Sequence, residues 1–312
     1  MAKKTFAICL LAAACGSEAQ PGPVGDYQGP PEITGGEGQT LLEPAPPADG
    51  QQLTSERFTL EPGDEKYYCY TFRSPADGVR AITEIVPIAT GVVHHEVIFQ
   101  TLVDEPEGFF ECPILQKATW QPIWAGGAGA RGLKLPSGVA FKIQPDTQYM
   151  VQYHLLNTGA SAVTSRAAFN LHYAADADSQ DPAGLFAMGS FNFEIPANTE
   201  KYELSVKCQA NKELKVFAAF PHLHQSGKRV TFETGAAEAS AAMAYEINPW
   251  KFGDQPMDPV DFTIRNGDFM RATCEWSNPS DRPIGYGESS NDEMCFMILF
   301  YHPFDQLDGC LD

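Results

Sequence analysis

Positive charge is scarce in this chain of 312 residues: 21 Lys and Arg stand against 40 Asp and Glu, a formal net charge of −19. So acidic a surface repels nucleic acid and anionic lipid headgroups, which argues against both as partners. Helical periodicity is lacking as well. No segment longer than about two turns repeats its apolar residues every 3.6 positions, which disfavours α/β and helical architectures. CxxC pairs are absent, so no zinc-finger spacing is available. Histidine is sparse, with seven in the chain, so the way these are clustered carries information.

The N-terminus has the order of an export signal. Lys3 and Lys4 precede an apolar run over residues 6–14, too short to span a bilayer, and Cys15-Gly16 follows. Leu11-Ala12-Ala13-Ala14-Cys15 resembles a bacterial lipoprotein processing site, with Ala12 where leucine is usual, and this implies lipidation at Cys15. The expected location is periplasmic or at the cell surface of a bacterium, with membrane contact only through the lipid. Beyond Cys9 and Cys15, the cysteines are Cys69, Cys112, Cys208, Cys274, Cys295 and Cys310, an even set that predicts three disulfides in an oxidising compartment.

Residues 16–55 are rich in proline and glycine and poor in large apolar side chains. Such a segment buries too little surface to offset its ordering entropy and reads as a tether. Short stretches rich in β-branched and aromatic residues follow at 66–72, 92–101, 139–143, 149–155 and 168–173, punctuated by turn chemistry such as Pro136-Ser137-Gly138. A polar break, AADADSQDP at 174–182, separates them from a second strand-rich run. The prediction is an all-β protein of two tandem antiparallel β-sandwich, jelly-roll-like domains, residues 56–178 and 179–312, after a signal at 1–15.

Four histidines fall in two tight pairs, His94-His95 and His222-Leu223-His224. Residues two apart on a strand share a face, so His222 and His224 can chelate one ion, and Pro221 marks a place where the strand leaves its ladder. His94 and His95 point to opposite faces of a regular strand, so joint ligation needs a bulge, a strand end or different ring nitrogens. His154 or His172 is available as a third ligand in the first half, and His302 or Met294 in the second. Met294 stands out because it sits in the polar stretch Ser290-Asn291-Asp292-Glu293, and a thioether is a soft ligand that selects copper over zinc.

Together these segments resemble the type II, ascorbate-dependent copper monooxygenases. The carriers are His94-His95-Glu96-Val97-Ile98-Phe99, Leu135-Pro136-Ser137-Gly138-Val139-Ala140-Phe141 with Gln152-Tyr153-His154, the His222-Leu223-His224 pair, and Asp292-Glu293-Met294-Cys295. The resemblance implies that His154 joins His94 and His95 at an electron-transfer copper and that Met294 joins His222 and His224 at the copper where dioxygen reacts. It leaves His172 and His302 structural, and places Gln152 near the electron-transfer copper. It implies disulfides Cys274–Cys295 and Cys208–Cys310, after which Cys69 and Cys112 pair by elimination. The expected reaction takes O2 and one-electron reductant such as ascorbate and hydroxylates a C–H bond.

Family members acting on peptidylglycines have an arginine two residues before the HxH pair and a tyrosine four residues after the methionine. Here these positions hold Phe220 and Ile298. Without the guanidinium a carboxylate loses its bidentate partner, while Phe220, Phe296 and Ile298 form an apolar wall. The expected substrate is therefore a small apolar or aromatic molecule. Two other readings use the same residues: a non-catalytic copper lipoprotein that stores or delivers metal, and a cupin-like zinc or iron site at His222 and His224.

Overall fold

The computed structural model describes residues 45–88, 92–112, 117, 119–127 and 132–312. The export signal, Cys15 and most of the tether lie outside these residues. Among them the chain is all-β, with one short 3-10 turn at Glu238–Ser240, and forms two antiparallel sandwiches in tandem.

In the first sandwich one sheet runs in the order Gly50–Thr54, Ala168–Tyr173, Arg80–Ile88, Val139–Ile143, Asp181–Pro182. The facing sheet runs Phe109–Glu111, Glu65–Arg73, Gln148–Leu156, Val93–Thr101, Trp120–Gly127. Two assignments from the sequence shift. Residues 50–54, placed in the tether, pair antiparallel with Ala168–Tyr173, and Leu53 buries its side chain in the core. Residues 181–182, placed in the second half, pair parallel with Val139 and Ala140 and so belong to the first sandwich's sheet. Polar composition hid both segments, because backbone pairing at a sheet edge requires no apolar side chain.

The second sandwich packs a five-stranded sheet (Asp258–Ile264, Leu214–His222, Phe296–His302, Gly184–Gly189, Asp308–Leu311) on a four-stranded one (Thr199–Gln209, Phe269–Asn278, Gly227–Gly235, Ala242–Ile247). In Phe269–Asn278 the even positions Met270, Ala272, Cys274 and Trp276 are buried and the odd positions from Arg271 onward are partly exposed, the period-2 pattern of a strand with one wet face.

Leu214–His222 is instead buried on both faces, since a second core lies against its outer side. Leu214, Val216 and Ala219 pack within the second sandwich, whereas Phe217, Ala218 and Phe220 pack with the first sandwich's core. The change of phase comes from a bulge at Phe217: Val216 opposes Tyr301 and Ala218 opposes Phe300, leaving Phe217 as the extra residue. From there Ala218, Phe220 and His222 alternate onto the face toward the first sandwich, beside their cross-strand partners Phe300, Ile298 and Phe296. Phe300 meets Phe141 of the first sandwich edge-on at 6.1 Å. The junction is thus an apolar core that aims His222 across it.

Three disulfides link Cys69–Cys112, Cys208–Cys310 and Cys274–Cys295. The last one closes a short loop between the strand Phe269–Asn278 and the residue after Met294.

Candidate metal centre

His94 and His95 sit at the start of Val93–Thr101, where the ladder slips. His154 opposes His95, but Leu155 opposes Val93, so His94 is an extra residue. Of the three arrangements open to the double histidine this is the bulge, and it turns both rings to one side. His154 brings a third ring, and the three are nearly or fully buried. Nδ1 of His154 lies 3.1 Å from Nδ1 of His94 and 3.3 Å from Nδ1 of His95.

His154 is held from behind. Its Nε2–H donates to Glu65 Oε1 at 2.8 Å, which leaves Nδ1 with its lone pair directed at the other two rings. Tyr67 stacks on the ring at 4.2 Å, almost parallel at 6°. Burial opposes ionisation of Glu65, but the hydrogen bonds from His154 and from the Ser290 backbone outweigh it and hold the carboxyl below its usual range.

In the second sandwich, His222 ends its strand and His224 follows in the turn. The His222 Nδ1–H donates to Gln255 Oε1 at 2.7 Å, and the His224 Nδ1–H donates to the Asp292 carbonyl at 3.1 Å. Each ring therefore keeps Nε2 as its free donor atom, and Nε2 of His224 is buried without a hydrogen-bond partner. An orphaned buried nitrogen is costly unless something else occupies it, and a metal ion is a suitable occupant. Met294 is 2 % exposed yet belongs to neither apolar core.

Glu293 joins the HxH turn to the Met294 segment. Its carboxylate accepts from the backbone N–H of His224 at 2.9 Å and of Ser226 at 2.5 Å, and from Trp276 Nε1 at 2.9 Å. Burial pushes this carboxyl up to about 7, and the hydrogen bonds restrain the rise.

The two sets of histidines are adjacent. Ring centroids of His95 and His222 are 5.1 Å apart, and those of His94 and His224 are 6.0 Å apart. Gln255 stands between them, and Gly127 makes room for it: a Cβ there would lie 2.6 Å from that of Gln255. Burial holds His94, His95 and His224 well below the usual histidine range, helped by the neighbouring imidazoles, and brings His222 to about 4 despite its bond to Gln255. All four are neutral near pH 7, the form that ligates metal.

The remaining sequence candidates fall in distinct places. Gln152 is fully buried two residues before His154, with Nε2 at 3.7 Å from Cys112 Sγ, so it is no surface residue. Phe220 and Ile298 pack into the apolar core at the junction. Phe296 groups with Phe191 and Tyr286 at 5.3 and 6.4 Å. His172 pairs with Asp49, and His302 lies 3.7 Å from Asp181, outside the histidine group. Sequence reasoning assigned no role to Glu65, Tyr67, Gln255 or Glu293. Glu293 lies within a quoted motif, but the other three carry no local signal.

Three imidazoles in one group, and two imidazoles beside the segment that carries the buried Met294 in the other, suit a metal that cycles between one and two positive charges. Comparison with known proteins agrees. Residues 181–312 match the family model described as the copper type II ascorbate-dependent monooxygenase, C-terminal domain. The chain is 24% identical over 250 residues to peptidylglycine alpha-amidating monooxygenase of Rattus norvegicus, covering 76% of this chain and 25% of that protein. It is 25% identical over 309 residues to dopamine beta-hydroxylase of Bos taurus, covering 87% and 50%. With DBH-like monooxygenase protein 1 of Gallus gallus the identity is 23% over 300 residues, covering 83% and 48%. The chain thus spans between a quarter and a half of the length of these curated relatives. In its C-terminal part the chain matches the family model, and along most of its length it is similar to these relatives, so it is similar to the copper type II ascorbate-dependent monooxygenases.

Proposed function

We propose that this chain is an exported monooxygenase with two coppers, one held by His94, His95 and His154 and the other by His222, His224 and Met294. It uses O2 and a one-electron reductant such as ascorbate to hydroxylate a C–H bond of a small apolar or aromatic substrate. The observation that carries this reading is the donor geometry: three Nδ1 atoms face one another on one side, and an unpartnered Nε2 of His224 stands beside the Met294 segment on the other. Bound copper supplies one-electron redox chemistry and reactivity toward dioxygen, and a thioether ligand favours its reduced state.

The protein's own contribution is orientation and exclusion of water. Gln255 and the Asp292 carbonyl take the Nδ1 protons of His222 and His224, which commits Nε2 to the metal. Burial keeps the imidazoles of His94, His95, His222 and His224 neutral, and burial of all six side chains strengthens any polar interaction made inside. The substrate class is supported by the residues beside His222 in the sheet. Phe296 is the cross-strand neighbour of His222, Phe220 and Ile298 are the next pair along the sheet on the same face, packed in the junction core, and none of them can bind a carboxylate. Gln152, close behind His154, belongs to the electron-transfer side. Export with lipidation at Cys15 is part of the same proposal and rests on the N-terminal sequence.

The test is copper stoichiometry on the mature protein after Cu(I) loading, followed by oxygen uptake with ascorbate and analysis for a hydroxylated product. Two coppers in the parent, falling to about one in Met294→Ala with loss of product, support the enzyme. Two coppers with no coupled oxygen uptake across apolar and aromatic substrates point to metal storage or delivery. One copper or none in the parent overturns the two-site reading.

A further inference from the structure

We infer that Glu65 is a positioning residue shared by the two metal centres: it fixes His154 as an Nδ1 donor and anchors the segment that carries Met294. The inference rests on the copper assignment above and concerns how the two sites are tuned and linked.

Glu65 opens the strand Glu65–Arg73 and faces the junction between the sandwiches. Oε1 accepts the His154 Nε2–H at 2.8 Å and the Ser290 backbone N–H at 2.9 Å, and Oε2 accepts the Ser289 hydroxyl at 3.3 Å. Tyr67, two residues on and therefore on the same face, stacks on His154 and donates its hydroxyl to the Glu288 carbonyl at 2.8 Å. The same two side chains thus grip a ligand of the first site and three successive residues, 288–290, of the segment leading to Met294. Cys295 secures the far end of that segment through its disulfide with Cys274.

Two consequences follow from the chemistry. A carboxylate behind a metal-bound imidazole fixes its tautomer and raises its basicity. Glu65 is the carboxylate hydrogen-bonded to an imidazole of these groups, whereas His222 and His224 donate to an amide and a backbone carbonyl. The negative charge of Glu65 favours Cu(II) over Cu(I), most strongly at the first site, whose ligand His154 it touches. The thioether of Met294 favours Cu(I) at the second. With copper at both sites, this difference would favour electron transfer from the first site to the second, the direction the proposed reaction needs. The anchor at 288–290 further makes the position of Met294 depend on the same carboxylate.

The test isolates each site. In full-length mature protein carrying His224→Ala, only the first site loads. There Glu65→Gln keeps an acceptor for His154 but removes the charge. Cu(II) affinity should fall on the order of 10- to 100-fold, with a smaller change for Cu(I) and an altered copper hyperfine splitting in the EPR spectrum. In protein carrying His95→Ala, Cu(I) affinity at the second site should fall several-fold with Glu65→Ala and change little with Glu65→Gln. Parental affinities and EPR spectrum in a folded Glu65→Gln protein overturn the inference and leave the copper assignment standing, whereas absence of copper from the parent overturns both. If the variants do not fold, the imidazole 15N shifts of His154 in the parent decide the matter: Nε2–H is required, and an Nδ1–H tautomer overturns the inference.

Discussion

Gln255 donates its amide N–H to Nε2 of His94 at 3.0 Å, across the junction between the two sandwiches. The Phe252 carbonyl fixes the amide's orientation by accepting from the same nitrogen at 3.0 Å. His94 Nε2 is therefore an acceptor, and the neutral ring carries its proton on Nδ1, which points at His154 Nδ1. A metal bound through Nδ1 of His94 needs that proton on Nε2, where it meets an amide N–H. Copper loading of the first site is thus predicted to break the Gln255–His94 contact while leaving that between Gln255 and His222 in place. Long-range imidazole 1H–15N spectra measure this directly: His94 should switch from Nδ1–H to Nε2–H when Cu(I) is added, and an unchanged tautomer would contradict the prediction.

Gly127 is the position that admits Gln255 between the histidines, since an added Cβ falls 2.7 Å from Gln255 Oε1. Gly127→Ala should displace Gln255 and release the His222 ring. The expected stability loss is about 1–3 kcal/mol by urea denaturation of metal-free protein. Cu(I) binding at the second site should weaken more than at the first. Equal effects at both sites would show that Gln255 does not orient His222.

Glu293 gathers donors from His224, Ser226 and Trp276, so its loss leaves several buried N–H groups without an acceptor. Glu293→Ala should lower stability by about 2–4 kcal/mol and weaken copper at the Met294 site. Glu293→Gln, with one acceptor oxygen in place of two, should fall between. Thermal unfolding with and without Cu(I) checks both, and a parental melting temperature in Glu293→Ala would refute the role.

The metal-free protein should be acid-sensitive. Burial lowers His94, His95 and His224 well below the usual range and His222 to about 4, whereas the unfolded chain protonates these groups near the ordinary histidine value of about 6.5. Between those values the unfolded state binds more protons. The stability contributed by the neutral rings is therefore present above about pH 6.5 and is lost as pH falls toward about 4. Chemical denaturation at pH 7.5, 6 and 5 should show a steady decline in the metal-free protein, and a flat profile would contradict the neutral-cluster picture.

Phe220 buries its ring at the junction, so Phe220→Ala should cost about 3–5 kcal/mol, mostly as loosened contact between the sandwiches. Phe220→Leu should recover most of it. A loss no larger than for a surface substitution would show that the junction does not depend on this side chain.

Parts of this arrangement were legible in the residues alone. Short β-branched and aromatic stretches with no 3.6-residue period announced an all-β protein, and two histidine pairs among seven histidines announced metal. Strand geometry left a bulge, a strand end or different ring nitrogens open for His94-His95, and the ladder has the bulge, beside Leu155. The edge segments 50–54 and 181–182 were not legible, because edge pairing depends on backbone hydrogen bonds that polar residues make as well as any. Gln152 was equally ambiguous: its burial depends on what lies over the sheet, here the Cys69–Cys112 disulfide.

By itself the sequence determined the residue chemistry: neutral imidazoles, one soft thioether in a polar stretch, no guanidinium before the HxH pair, and strands to carry them. Those are properties of residue type and of spacing along one strand, and both are local. Only the tertiary structure decided which atoms face which. Glu65 meets His154 across a strand pair, Gln255 reaches His94 from the other sandwich, and Glu293 ties the HxH turn to the Met294 segment. These contacts join residues tens to hundreds of positions apart, and they exist because a bulge at Phe217 turns His222 toward the first sandwich and the burial of Phe220 and Phe300 holds it there.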